Sequence, residues 1–284
     1  MSQTDHYLDL PSGLRAHYLK WSGPDNAPAI VLNHATGFLA RQWQPVAERL
    51  AGDHTSYAAD TRGHGDTDKP PPEGDNYHWS RFVEDLRAWL DGLGLRGVPF
   101  VGHSAGAASG LYLAAERPEF FTRLIAIEPI VMPGGVRLDE SRGKEMSEGA
   151  RRRRAVFESA ADAFDHYRSR SLFERWPDEA IRLYVENGTF PREDGRLQLK
   201  CPGEIEGEIF ANSASLNIWE VLPRIEAPVL VIRGEHTEDF LGMVAASVAE
   251  RVPNGRLETV PDAGHLAPME RPDAIADLIL DFLS

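Results

Sequence analysis

A chain of 284 residues with 42% hydrophobic content is long enough for one large sheet-based core with an insertion, and short for two independent domains. A formal net charge of −14 argues against a nucleic-acid backbone or an anionic membrane as partner, since both require a concentrated positive field; the dense basic run Arg151, Arg152, Arg153, Arg154 reads as a solvated or ion-paired helix face. The single cysteine, Cys201, excludes an intramolecular disulfide and fits a packing role in a reducing, cytoplasmic setting, while the lack of a basic-then-apolar opening or of about 18 uninterrupted apolar residues argues against export or a membrane span.

Along the chain, residues 7–10 and 14–21 flank Pro11-Ser12-Gly13 and read as an antiparallel hairpin at a sheet edge. Short apolar runs then alternate with helical patterns: a strand over 29–33, a helix over 42–51, a strand over 55–59, a helix over 79–93 and a strand over 98–102. A helix over 105–117 stops at Pro118, and residues 123–127 form another buried strand. The rhythm breaks between Pro133 and Leu222, where 151–167 and 178–184 look helical and no sheet-core strand is evident; residues 134–222 are expected to form an inserted, mostly helical cap. It resumes with a strand over 228–232, a helix over 241–251, a strand over 256–260 and an amphipathic helix over 272–283. The expected core is therefore 1–133 with 223–284, an α/β fold with a mostly parallel eight-stranded sheet and helices on both faces.

Gly102-His103-Ser104-Ala105-Gly106 matches G-x-S-x-G where a strand ends and a helix begins. Such a turn needs small residues two before and two after the serine, because its centre is strained and strand and helix pack closely. It presents the hydroxyl to a cleft with the next N–H pointing at it. Further motifs follow in order: His34-Ala35-Thr36-Gly37-Phe38 after the third strand, Asp60-Thr61-Arg62-Gly63-His64-Gly65 after the fourth, and Gly264-His265 after the last. This ordered set resembles the α/β-hydrolase superfamily over essentially the whole chain.

A serine hydroxyl needs a base within hydrogen-bond reach. The resemblance implies His265, in the loop between the last strand and last helix, which also fits the chain order serine, acid, histidine. His34 and His103 flank the implied oxyanion loops and are expected to shape the site. The acid is ambiguous. Most of the superfamily carries it after the seventh strand, commonly three residues past a glycine, yet that count from Gly234 lands on Thr237. Glu238 and Asp239 are candidates there, and Glu128, which ends the sixth strand before the rigid Pro129, is preferred. The resemblance implies oxyanion donors at the Ala105 and Thr36 amides, with Ala35 second. Phe38 and Trp43, with His34 and His103, are expected at the pocket; Trp176, Tyr184, Phe210 and Trp219 are candidates to close over it.

The expected activity is hydrolysis of a small-molecule carboxylic ester or lactone through an acyl-serine. Amide and carbon–carbon bond hydrolysis share the same triad. A non-catalytic receptor on the same fold is the alternative of another class. No cofactor or metal is implied by motif or spacing, and homo-oligomerisation is left open by the sequence.

Overall fold

The computed structural model describes residues 2–134 and 140–284. Of the insertion expected over 134–222, residues 135–139 lie outside the described residues. Strands β1 (Gln3–Asp9) and β2 (Arg15–Trp21) form the expected hairpin, with β1 starting several residues earlier than its apolar signal. There follow β3 (Ala29–Asn33), α1 (Gln44–Leu50), β4 (Thr55–Ala59), α2 (Trp79–Leu93), β5 (Val98–His103), α3 (Ala105–Glu116) and β6 (Phe121–Ile127). The next segment holds α4 (Glu140–Arg152), β7 (Val156–Phe157), α5 (Ala160–Arg168), α6 (Asp178–Gly188), β8 (Thr189–Pro191), β9 (Leu197–Leu199) and α7 (Gly203–Ala211). The chain closes with β10 (Val229–Gly234), α8 (Asp239–Arg251), β11 (Gly255–Val260), α9 (Ala267–Glu270) and α10 (Pro272–Leu283).

The main sheet has eight strands in the order β1-β2-β4-β3-β5-β6-β10-β11. The pairs β1–β2 and β2–β4 are antiparallel and the rest parallel. Its central strands β3, β5, β6 and β10 carry buried, mainly apolar runs because both faces are covered. Alternate side chains divide between two cores, as a period of two requires. Val31, Phe100 and Val231 face the side packed by α2, α3 and α8, while Ile30, Leu32, Val101 and Ile232 face the side packed by α1 and α10. Each such fully buried aliphatic or aromatic side chain contributes roughly 1.5–3 kcal/mol relative to exposure.

The segment between β6 and β10 departs from expectation in detail. The single helix read over 151–167 is two helices, α4 and α5, separated by strand β7. Val156 and Phe157, a β-branched and an aromatic residue, pair with β9, and the Ser159 hydroxyl then caps α5 by accepting the Asp162 amide at 3.1 Å. Strands β7, β9 and β8 form a separate three-stranded sheet where no sheet-core strand was expected, and none of them joins the main sheet.

Candidate active site

Ser104 stands between β5 and α3 with φ 55° and ψ −116°, a conformation that L residues hold only when their surroundings enforce it. The enforcement is local. The Ser104 amide donates to the Ile127 carbonyl at 2.9 Å. A Cβ on Gly102 would come within 2.5 Å of the Ala107 Cα, and one on Gly106 within 2.5 Å of the Asn33 carbonyl oxygen. The motif glycines therefore permit the close approach of strand β5, helix α3 and the end of β3.

Adjacent strands then bring distant residues together at their carboxyl ends. Strands β5, β6, β10 and β11 are consecutive in the sheet, and Ser104, Glu128, Gly234 and His265 follow or end them in that order. His265 Nε2 lies 3.2 Å from Ser104 Oγ, and His265 Nδ1 lies 3.2 Å from Glu128 Oε2. The other Glu128 oxygen accepts the Gly234 amide at 2.6 Å, and the Glu128 side chain is wholly buried. Glu128 has φ 49°, so it too is held in a left-handed conformation by its setting. Glu238 and Asp239, the other two candidate acids, are exposed at the start of α8.

Two buried groups brace the histidine loop. Glu270 accepts the Gly264 amide at 2.5 Å, and His103 Nε2 donates to the His265 carbonyl at 2.8 Å. Burial, then the neighbouring His265, push the His103 imidazole down to about 3, so it is neutral. Glu270 was not singled out from sequence, because its partner is recognisable only once the loop has folded back over α9.

The loop after β3 faces the serine. Phe38 N–H donates to the Ala35 carbonyl at 3.2 Å, which closes the turn. Gly37, at φ 84°, is held from both sides: its amide donates to His64 Nε2 at 2.9 Å and its carbonyl accepts the Tyr184 hydroxyl at 3.0 Å. A Cβ there would come within 2.4 Å of Glu206 Oε1. Behind the loop, His34 Nε2 accepts the Thr61 amide at 2.9 Å, so its Nδ1–H donates to the Ala35 carbonyl at 2.8 Å. Burial depresses both His34 and His64, the latter to about 3, leaving neutral rings that act as loop supports. Among the described residues, the Thr36 and Ala105 amides have no protein acceptor.

These groups open onto a cavity of about 1020 Å³. Ala35, Thr36, Phe38, Ser104, Ala105 and His265 form its base. One wall is apolar, with Trp79, Ile130, Met132, Phe210, Phe240 and Leu241. Tyr184 also reaches the cavity, whereas Trp43 does not: it is 2% exposed and packs with Val46, Ala47 and Leu50 in the core under α1. The expected pocket role of Trp43 thus gives way to plain core packing, because its side chain points down toward the sheet. His34 and His103 lie beneath the lining, and Trp176 packs against Phe38, Phe173 and Tyr184. Cys201 is buried, and burial pushes its thiol up to about 12, which suits packing and not nucleophilic chemistry. Among the described residues, two groups have metal-ligand types close together, His17 with Asp60 and Asp66, and Glu235 with His236 and Asp262; neither borders the cavity, and the first is already engaged by hydrogen bonds.

A model of the alpha/beta hydrolase family matches residues 30–278. The chain is 28% identical over 267 residues to a Bacillus subtilis protein provisionally named 2-succinyl-6-hydroxy-2,4-cyclohexadiene-1-carboxylate synthase, with 92% of each chain covered. It is 25% identical over 272 residues to N-formylmaleamate deformylase of Pseudomonas putida, covering 96% of this chain and 94% of that one. The solved structure of E-2-(acetamidomethylene)succinate hydrolase is similar with a TM-score of 0.84 at 21% identity, over 99% of both chains. The likeness establishes the fold expected from the sequence. Among the described residues no helix is long and apolar enough to cross a membrane.

Proposed function

The chain belongs to the alpha/beta hydrolase family, and on that premise we propose that it is a serine hydrolase cleaving a small-molecule carboxylic ester or lactone through an acyl-serine intermediate. The observation that carries this reading is the continuous relay from Ser104 Oγ through both nitrogens of His265 to the buried Glu128, set at the base of a cavity. His265 accepts the serine proton as Oγ attacks the carbonyl carbon. Glu128 keeps the imidazole in the tautomer that leaves Nε2 free, and it stabilises the imidazolium that forms. The negative oxygen of the tetrahedral intermediate is met by the Ala105 and Thr36 amides, with Ala35 second. His265 then protonates the leaving group, and a water it activates releases the acid from Ser104.

Glu128 serves as the acid in preference to Glu238 or Asp239, since its carboxylate is the one on His265 Nδ1. The described residues of the cap expected over 134–222 supply part of the cavity lining, among them Met146, Tyr167 and Phe210. A second reading, hydrolysis of an amide by the same groups, is favoured by the deformylase among the relatives; the two differ in how strongly the leaving nitrogen needs the proton from His265. A panel of p-nitrophenyl esters, lactones and aryl amides tests the choice, with Ser104→Ala as control. The ester reading expects ester or lactone turnover to exceed matched amides and to vanish in the control. Faster amide turnover would transfer the assignment to the second reading.

A further inference from the structure

In a chain of net charge −14, the cavity is lined by a basic cluster as well as by apolar residues. The cluster is built from the carboxyl end of α4, from α5 and from the turn that follows, and it carries Arg152, Arg153, Arg154, Arg170 and His166. Most of these charges are matched within the protein. Arg153 pairs with the buried Glu206 at 2.8 Å and donates to the Cys201 carbonyl at 2.6 Å. Arg152 pairs with Glu148 at 3.2 Å, and Arg154 forms a two-pronged pair with Asp162. Arg170 differs: it is exposed, it lines the cavity, and among the described residues no ion pair engages it. Its field is felt across the cluster, since His166 is pushed below its ordinary value by burial and then by Arg170 and Arg154.

The acidic groups that line the cavity lie elsewhere or are already matched. Glu206 is held by Arg153. Glu145 lies on α4 and forms no ion pair with Arg170 among the described residues. Glu238 belongs to the start of α8, at the apolar wall beside Phe240 and Leu241. An exposed guanidinium on the cavity lining, with no internal carboxylate engaging it, is able to form a charge-assisted, two-pronged contact with a ligand carboxylate.

We propose that this cluster is a carboxylate-recognition subsite: the substrate carries a carboxylate away from its scissile bond, and Arg170, flanked by Arg154 and His166, holds that group while Ser104 meets the carbonyl. The apolar wall takes the hydrocarbon part. The proposal rests on the hydrolase reading for its chemistry, but not for its binding. An acidic chain repels anionic ligands at long range, so a local guanidinium contact is what makes such a substrate acceptable.

The test compares mono-p-nitrophenyl adipate with its methyl ester, identical except for the free carboxylate. Wild type is expected to favour the acid in kcat/KM by about tenfold, the scale of one charge-assisted contact, mainly through KM. Arg170→Gln should bring the ratio between the two esters close to one, Arg170→Lys should restore part of it, and added salt should lower it in wild type. Equal turnover of both esters by wild type, or an unchanged ratio in Arg170→Gln, overturns the proposal. Calorimetric titration of adipate into Ser104→Ala separates the two readings. Binding that is lost in Ser104→Ala/Arg170→Gln supports the subsite even without turnover, and absence of binding to Ser104→Ala counts against it.

Discussion

At Ser104 the backbone is strained and the side chain is hydrogen-bonded to His265, and both follow from what surrounds a five-residue turn. The acid is where residue-level reasoning has most to decide. Glu128→Gln is expected to lower kcat on an ester by about 10³–10⁴-fold, because the amide favours the wrong imidazole tautomer while leaving the shape intact. Glu238→Gln and Asp239→Asn should stay within about threefold of wild type, since neither carboxylate meets His265 Nδ1. Steady-state kinetics of the three variants checks this, and a loss confined to Glu238→Gln would move the acid to the loop after β10. Ser104 and His265 were legible in the sequence because each sits in a local motif in the expected chain order. Glu128 was legible as a carboxylate ending an apolar strand before Pro129, though two rivals remained. Arg153, Glu206 and Glu270 were not, because each matters through a partner that no local pattern names.

Helix α3 illustrates how elements are fixed by close approach. A Cβ on Gly110 would lie 2.0 Å from the Phe100 ring on β5, and Phe100 is itself packed against Phe121 at 4.7 Å between centroids. Gly110→Ala should therefore destabilise the protein by about 1–3 kcal/mol, because overpacking outweighs the roughly 1 kcal/mol that alanine gains in helix propensity. Denaturant unfolding measures the sign, and a more stable variant would show that β5 and α3 yield easily. In α5 the effect is smaller: Ser159→Ala removes the N-cap hydrogen bond and should cost about 1 kcal/mol. The core strands and helices were readable because long apolar runs and helical periods recur. The break between α4 and α5 was not, since two strand residues, Val156 and Phe157, acquire their conformation only from pairing with β9, about forty residues on.

At the scale of the whole molecule, Asp60 ties the edge hairpin to the site. Its carboxylate takes His17 Nδ1 at 2.7 Å, the Ala40 amide at 2.7 Å and the Asp66 amide at 2.9 Å. Burial pushes the Asp60 carboxyl up, but the hydrogen bond and charge of His17 outweigh it and hold it well below the usual range. His17 is raised: burial lowers it, and its bond to Asp60 more than compensates. A depressed acid contributes stability above its unfolded value of about 4, lost as pH falls, and a raised histidine contributes below about 6.5, lost as pH rises through its folded value. The pair should thus add most between about pH 4 and 6.5. Melting temperature against pH should show a steep acid limb in wild type that flattens in Asp60→Asn, and parallel limbs would contradict the linkage. The sheet topology was legible as a rhythm of strands and helices. That His17 of the second strand meets Asp60, just past the end of the fourth, required the strand order itself.

The central claim is that Ser104 is an activated nucleophile, and intact-protein mass spectrometry after incubation with a fluorophosphonate measures that directly. One adduct per chain is expected, mapped to the peptide containing Ser104, absent in Ser104→Ala and formed at least about 10³-fold more slowly in His265→Ala. A folded wild-type protein that takes no label, or an adduct that persists in Ser104→Ala, would contradict it.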